Sequence, residues 1–144
     1  MQFCLRMEKN LNPEKDFREE KFLIFSSIIQ IKNFMESEKI FIDLNYNICP
    51  KGYSQLMSIL SYNPKNNLFM PCFFIPMSFK TFISYDYAFK SILELIDDNE
   101  LIYDNKNKNF VLQADIDSNL IKAFKENFQK TEAYGSYFNY LKKI

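Results

Sequence analysis

From residue 22 onward the chain alternates short apolar runs with longer amphipathic stretches. FLIFS, 22–26, is a short apolar run with strand character. SIIQIKNFMESE follows, with Ile28, Ile29, Ile31, Phe34 and Met35 closer to helical spacing, and Glu36 and Glu38 close that piece. Three strand candidates come next, 39–44, 53–62 and 68–77, separated by the turn-forming CPKG and NPKNN. Links that short join antiparallel neighbours. Pro71 and Pro76 both fall in the third run; proline cannot donate to a ladder, which pushes this strand toward a sheet edge or a bulge.

After Thr81 the period changes. Tyr85, Phe89, Ile92 and Ile96 share one helical face with Ala88 and Leu93, and the run stops at DDNE. NFVLQAD, 109–115, is another strand and ends on an acid. Leu120, Ile121, Phe124 and Phe128 outline a second amphipathic helix with Asp117 or Asp115 as its cap, and TEAYGSYFNY, 131–140, is the last strand candidate. The expectation is an α/β fold with a mixed sheet: three antiparallel strands, then helix, strand, helix, strand. A strand that returns beside the first through a helix runs parallel to it. Asp43, at the end of the first of these strands, and Asp115, at the end of the fourth, are then expected on one edge of adjacent strands. Residues 1–21, with the charged cluster EKDFREEK, read as a polar lead-in or a short helix, and residues 22–144 as one domain without repeat or linker.

Composition narrows the chemistry. The 144 residues are 47% hydrophobic and 17% aromatic, enough for a core built on Phe and Tyr. Lys plus Arg equals Asp plus Glu at 18 each, so no global basic field draws in nucleic acid, and any such binding is local. The chain has no His, which removes the usual general base, the commonest metal ligand and every His-containing triad. Carboxylates remain as the catalytic or metal-binding groups. Cys4, Cys49 and Cys72 are too scattered for a zinc or redox pair and read as free thiols in a reducing compartment. The first residues lack a secretory pattern, and the longest apolar run, LFMPCFFIPM, is too short to span a bilayer, so the expectation is an intracellular, soluble protein, nuclear or cytosolic.

KIFIDLNYNICPKGYSQLMSIL, 39–60, runs an apolar strand straight into Asp43. A strand-end Asp facing water needs no explanation, whereas one in apolar surroundings needs a partner, a hydrogen-bond cage or a metal.

Several stretches together resemble the catalytic domain of Mutator-like element (MULE) transposases, of the DDE class with a ribonuclease H-like fold. The matching residues are FLIF at 22–25, IFID at 40–43 and CPKGYSQL at 49–56, then Pro71, Lys80, Thr81, Tyr85 and Phe89. Ala114–Asp117 resembles the second acid motif, and Ala123 and Phe128 the helix after it. Gly52 and Gly135 fall where that family often places a glycine. The resemblance implies that Asp43 is the first metal-holding acid and Asp115 the second, around Mg²⁺ or Mn²⁺, with DNA as the implied partner.

Departures from the pattern shape the functional expectation. Leu44 and Asn45 replace a Gly and a Thr after the first acid, with Leu44 expected to crowd the metal edge or restrict the backbone. Ser136 and Asn139 replace a Cys and a His. The third acid belongs on a downstream helix, and no Asp or Glu follows Glu132. Glu126 and Glu132 read as solvated charges. The expectation is an incomplete ribonuclease H-like domain lacking the C-terminal helix with the third acid. Three readings stand: a degenerate or truncated transposase domain silent by itself, a fragment completed by a further C-terminal part, and a non-enzymatic nucleic-acid or protein interaction module. Loss of the covering helix further implies uncovered apolar residues, Phe41 and Tyr137 among the candidates, and hence self-association or a protein partner.

Overall fold

The computed structural model describes residues 3–9, 21–102, 108–114 and 117–135. In chain order these form β1 (Phe3–Lys9), β2 (Lys21–Ser27), α1 (Ile28–Glu36), β3 (Lys39–Asn45), β4 (Gln55–Asn63), β5 (Leu68–Met77), α2 (Phe82–Asp98), β6 (Asn109–Ala114), α3 (Ser118–Asn127) and β7 (Lys130–Gly135). Residues 103–107 (which include the start of the DNKNKN stretch), Asp115, and the second half of the last strand candidate, 136–140, lie outside the described residues. No helix among the described residues is long and apolar enough to cross a membrane.

The seven strands form one mixed sheet in the order β1-β2-β5-β4-β3-β6-β7. β3, β4 and β5 are antiparallel neighbours, as their short links require, while β6 runs parallel to β3 and β7 parallel to β6. Each parallel strand is reached through a helix, α2 before β6 and α3 before β7.

One expectation is corrected here. Phe3–Lys9 is neither a lead-in nor a helix but an edge strand, paired with β2 along its whole length. Its sequence, FCLRMEK, alternates Phe3, Leu5 and Met7 with less apolar residues, a period-2 signal hidden by the charged stretch that follows. The proline-bearing β5 is not at an edge, because β2 lies on its other side. Of the two outcomes expected for this run, an edge or a bulge, the bulge is the one found, at Pro71. The register with β4 shifts between Ile59, opposite Phe73, and Leu60, opposite Pro71. Side chains then supply part of what the β2–β5 ladder lacks: Ser26 Oγ donates to the Cys72 carbonyl at 2.6 Å, and Lys21 N donates to Ser78 Oγ at 2.7 Å.

Side chains alternate across the sheet. Ile40, Ile42 and Leu44 of β3, Met57 and Ile59 of β4, Phe73 and Ile75 of β5, and Phe110, Leu112 and Ala114 of β6 are all buried on the face that carries the helices. Phe34 of α1 lies at the centre of that core, with ring centroids 5.3 Å from Phe73, 5.2 Å from Phe110 and 5.5 Å from Phe128. Phe89 of α2 meets Phe124 of α3 at 5.2 Å. The helical face expected after Thr81 is the buried one, with Tyr85, Ala88, Phe89, Ile92 and Ile96 all inward and Thr81 accepting from Ser84 N as N-cap. The opposite face is open: Phe25 and Phe74, paired across β2 and β5, are exposed, as are Phe69 and Tyr134.

Candidate functional site

Asp43 is the fifth residue of β3, between Ile42 and Leu44, which are 3% and 6% exposed. Alternation therefore turns its carboxylate to the open face, where it is exposed, and it faces Ser58 across the antiparallel pair with β4. Among the described residues the carboxylate has no ion-pair or hydrogen-bond partner. On the other side of β3, Ile42 pairs with Ala114, the last residue of β6. The strand carrying the first expected acid and the strand leading to the second are thus parallel neighbours. Asp115 itself lies outside the described residues.

Leu44 does not crowd this edge. Its side chain is buried on the helix face, opposite to Asp43. Among the described residues the non-glycine ones with positive φ are Asn67 and Glu100, so Leu44 holds ordinary strand backbone that needs no glycine. Asn45 closes the strand: its Oδ1 accepts from Asn47 N at 2.9 Å and Ile48 N at 3.0 Å, an Asx turn.

The CPKGYSQL stretch is a turn with a buried end. Tyr53 N donates to the Pro50 carbonyl at 3.1 Å. Gly52 adopts φ 94°, a conformation that side chains other than glycine rarely take. The Cys49 thiol lies 3.2 Å from the Tyr53 carbonyl. Cys49 and Cys72 are free thiols, and burial pushes the Cys72 pKa up. Ser54 Oγ donates to the Ser78 carbonyl at 2.8 Å, and the next residue, Gln55, points into the core at 0% exposure.

Asp117 settles which acid caps α3. It is the N-cap, with Oδ1 accepting from Asn119 N at 2.9 Å and Leu120 N at 3.2 Å. Its other oxygen accepts from the Tyr85 hydroxyl at 3.1 Å, and Gln55 Nε2 donates to that hydroxyl at 3.1 Å. Burial, with the Asp117 charge adding to it, raises the Tyr85 pKa and keeps the phenol neutral. In the sequence Gln55 stands out only within a matched stretch and Tyr85 within a matched stretch and on an apolar helical face; their contact joins residues 30 positions apart and leaves no local signal. Lys80, just before the N-cap of α2, lays its ammonium 3.7 Å from the centre of the Tyr46 ring.

An exposed, unpartnered carboxylate is the hard-oxygen donor that Mg²⁺ or Mn²⁺ takes. Asp43 fits that requirement as one ligand. Among the described residues no three His, Cys, Asp or Glu side chains group to hold a metal ion. No protein-family model, curated protein or solved structure matches the chain.

Proposed function

We propose that this chain is a ribonuclease H-like domain of MULE-transposase descent, built for metal-dependent DNA strand cleavage and transfer and silent as an isolated chain. The observation that carries the reading is the strand arrangement around Asp43: three antiparallel strands in the order β5-β4-β3, followed by β6 and β7 added in parallel on the far side of β3. This is the arrangement that the resemblance implies, in which the first two acids follow adjacent parallel strands. Asp43 follows Ile42 in the chain as Asp115 follows Ala114, and Ile42 and Ala114 are a pair in the ladder.

Asp43 and Asp115 would hold the divalent ions. When bound, such ions sharpen a water or 3′-hydroxyl nucleophile and stabilise the leaving oxygen. The chain's own residues supply the frame: Leu44 and Ile42 anchor β3 in the core, Asn45 ends it, and Asp117 starts α3. The chemistry calls for three carboxylates, and the resemblance matches two in this chain. With a formal net charge of zero, DNA is held weakly by the chain alone.

The test is incubation of the purified chain with nicked and blunt-ended DNA in Mg²⁺ or Mn²⁺. No hydrolysis or strand transfer above background is expected. Cleavage that disappears in Asp43→Ala would instead favour an active transposase fragment.

A further inference from the structure

Gln55 stands at the start of β4 on the helix-facing side, fully buried, where a strand usually places an aliphatic group. The amide is costly there: among the described residues its Oε1 has no hydrogen-bond partner. What an amide does that an aliphatic chain does not is donate, and Nε2 donates to Tyr85. The direction of this chain of hydrogen bonds is set at its far end. An ionised carboxylate only accepts, so the Tyr85 proton goes to Asp117, and the phenol oxygen then takes its donor from Gln55. Three elements are tied together in this way: β4, whose partner β3 carries Asp43; α2, which carries Tyr85; and the cap of α3, two residues beyond Asp115. The two Asp117 oxygens divide the work, one capping Asn119 and Leu120 and the other held by Tyr85.

We infer that Gln55 and Tyr85 are positioning residues, a buried hydrogen-bonded strut that holds the start of α3 against the β3–β4 pair that carries Asp43. This deepens the proposed function and rests on its assignment of Asp43 and Asp115 as metal-holding acids. It also gives the glutamine of CPKGYSQL a role that neither the turn nor the packing of that stretch requires.

Wild type, Tyr85→Phe and Gln55→Met decide the matter. Tyr85→Phe keeps the ring in the core, and Gln55→Met keeps a long side chain without the donor. Amide exchange by NMR is expected to accelerate at Asn119 and Leu120 by roughly tenfold in both variants. The Phe128 amide, bonded to the Phe124 carbonyl at the other end of α3, is expected to stay protected. Line broadening by added Mn²⁺ at the residues flanking Asp43 is expected to need several-fold more metal in both variants than in wild type. Exchange that does not change, or that rises evenly along α3, overturns the strut. Mn²⁺ broadening present in wild type and equal in the variants overturns the positioning role while leaving the proposed acids in place. Absence of broadening in wild type overturns the assignment of the acids, and the positioning role falls with it.

Discussion

Ile42 and Ala114 lie opposite one another in the parallel ladder between β3 and β6, both buried beneath the helices. The pairing brings the end of β6 alongside Asp43, which follows Ile42 and turns to the other face. A carboxylate there contributes little to the fold, since it is exposed and unpartnered among the described residues. Asp43→Ala is therefore expected to change unfolding free energy by less than about 0.5 kcal/mol in urea titrations while abolishing Mn²⁺ broadening of the β3 resonances. A large loss of stability, or broadening that survives the substitution, would remove Asp43 from the proposed site.

Phe34 is, with Ile31, a fully buried residue of α1, and its ring touches rings from β5, β6 and the end of α3. It is 0% exposed, so truncation leaves a cavity that four elements line and none fills. Phe34→Ala is expected to cost about 3–5 kcal/mol, and Phe34→Leu clearly less, in equilibrium denaturation. Equal, small effects for the two would mean that α1 is not held through this ring.

The open face of the sheet carries Phe25, Phe69 and Phe74 at 46%, 54% and 37% exposure. At the Phe25 end of this face a groove of about 550 Å³ is lined by Phe25, Ile48, Cys49, Leu56 and Pro76 with no charged side chain. Phe41, expected to be uncovered, is half-buried against the Phe69 ring at 4.9 Å, and Tyr137 lies outside the described residues. Contiguous apolar surface of this kind drives association. Sedimentation of the wild-type chain is expected to show species heavier than a monomer, and Phe25→Lys with Phe74→Lys to shift it toward monomer. A clean wild-type monomer that binds no hydrophobic dye would rule out association through this face.

Tyr85 sets an alkaline limit. Burial raises its pKa above the ordinary value of 10.0, so the folded state binds the phenolic proton more tightly than the unfolded chain does. The stability from this difference is fully present below the unfolded pKa and is lost as pH rises from there toward the folded one. Unfolding free energy is expected to fall as pH rises above about 10 in wild type, and to fall less in Tyr85→Phe. Parallel losses in the two proteins would show that the decline comes from other groups.

The part of the fold legible along the chain is local. Periodicity located β2 to β6 and the helices to within a few residues, because burial on one face of a strand or helix writes itself into spacings of two or of three to four. Short turns made β3, β4 and β5 antiparallel, and the choice of caps for α3 was narrowed to two acids, of which the fold uses Asp117. Features that depend on distant partners follow from how the elements pack. β2 could sit beside the proline-bearing β5 because the Ser26 and Lys21 bonds satisfied backbone groups that the β2–β5 ladder could not, and Phe3–Lys9 became a strand because the free edge of β2 was there to pair with it. The Gln55–Tyr85–Asp117 strut joins three elements far apart in the chain, and each of its residues taken alone reads as an ordinary strand, helix or cap position. Spacing along a chain reports which face a residue is on; which residue it meets there is set by how whole elements stack to bury their backbone groups and apolar faces together.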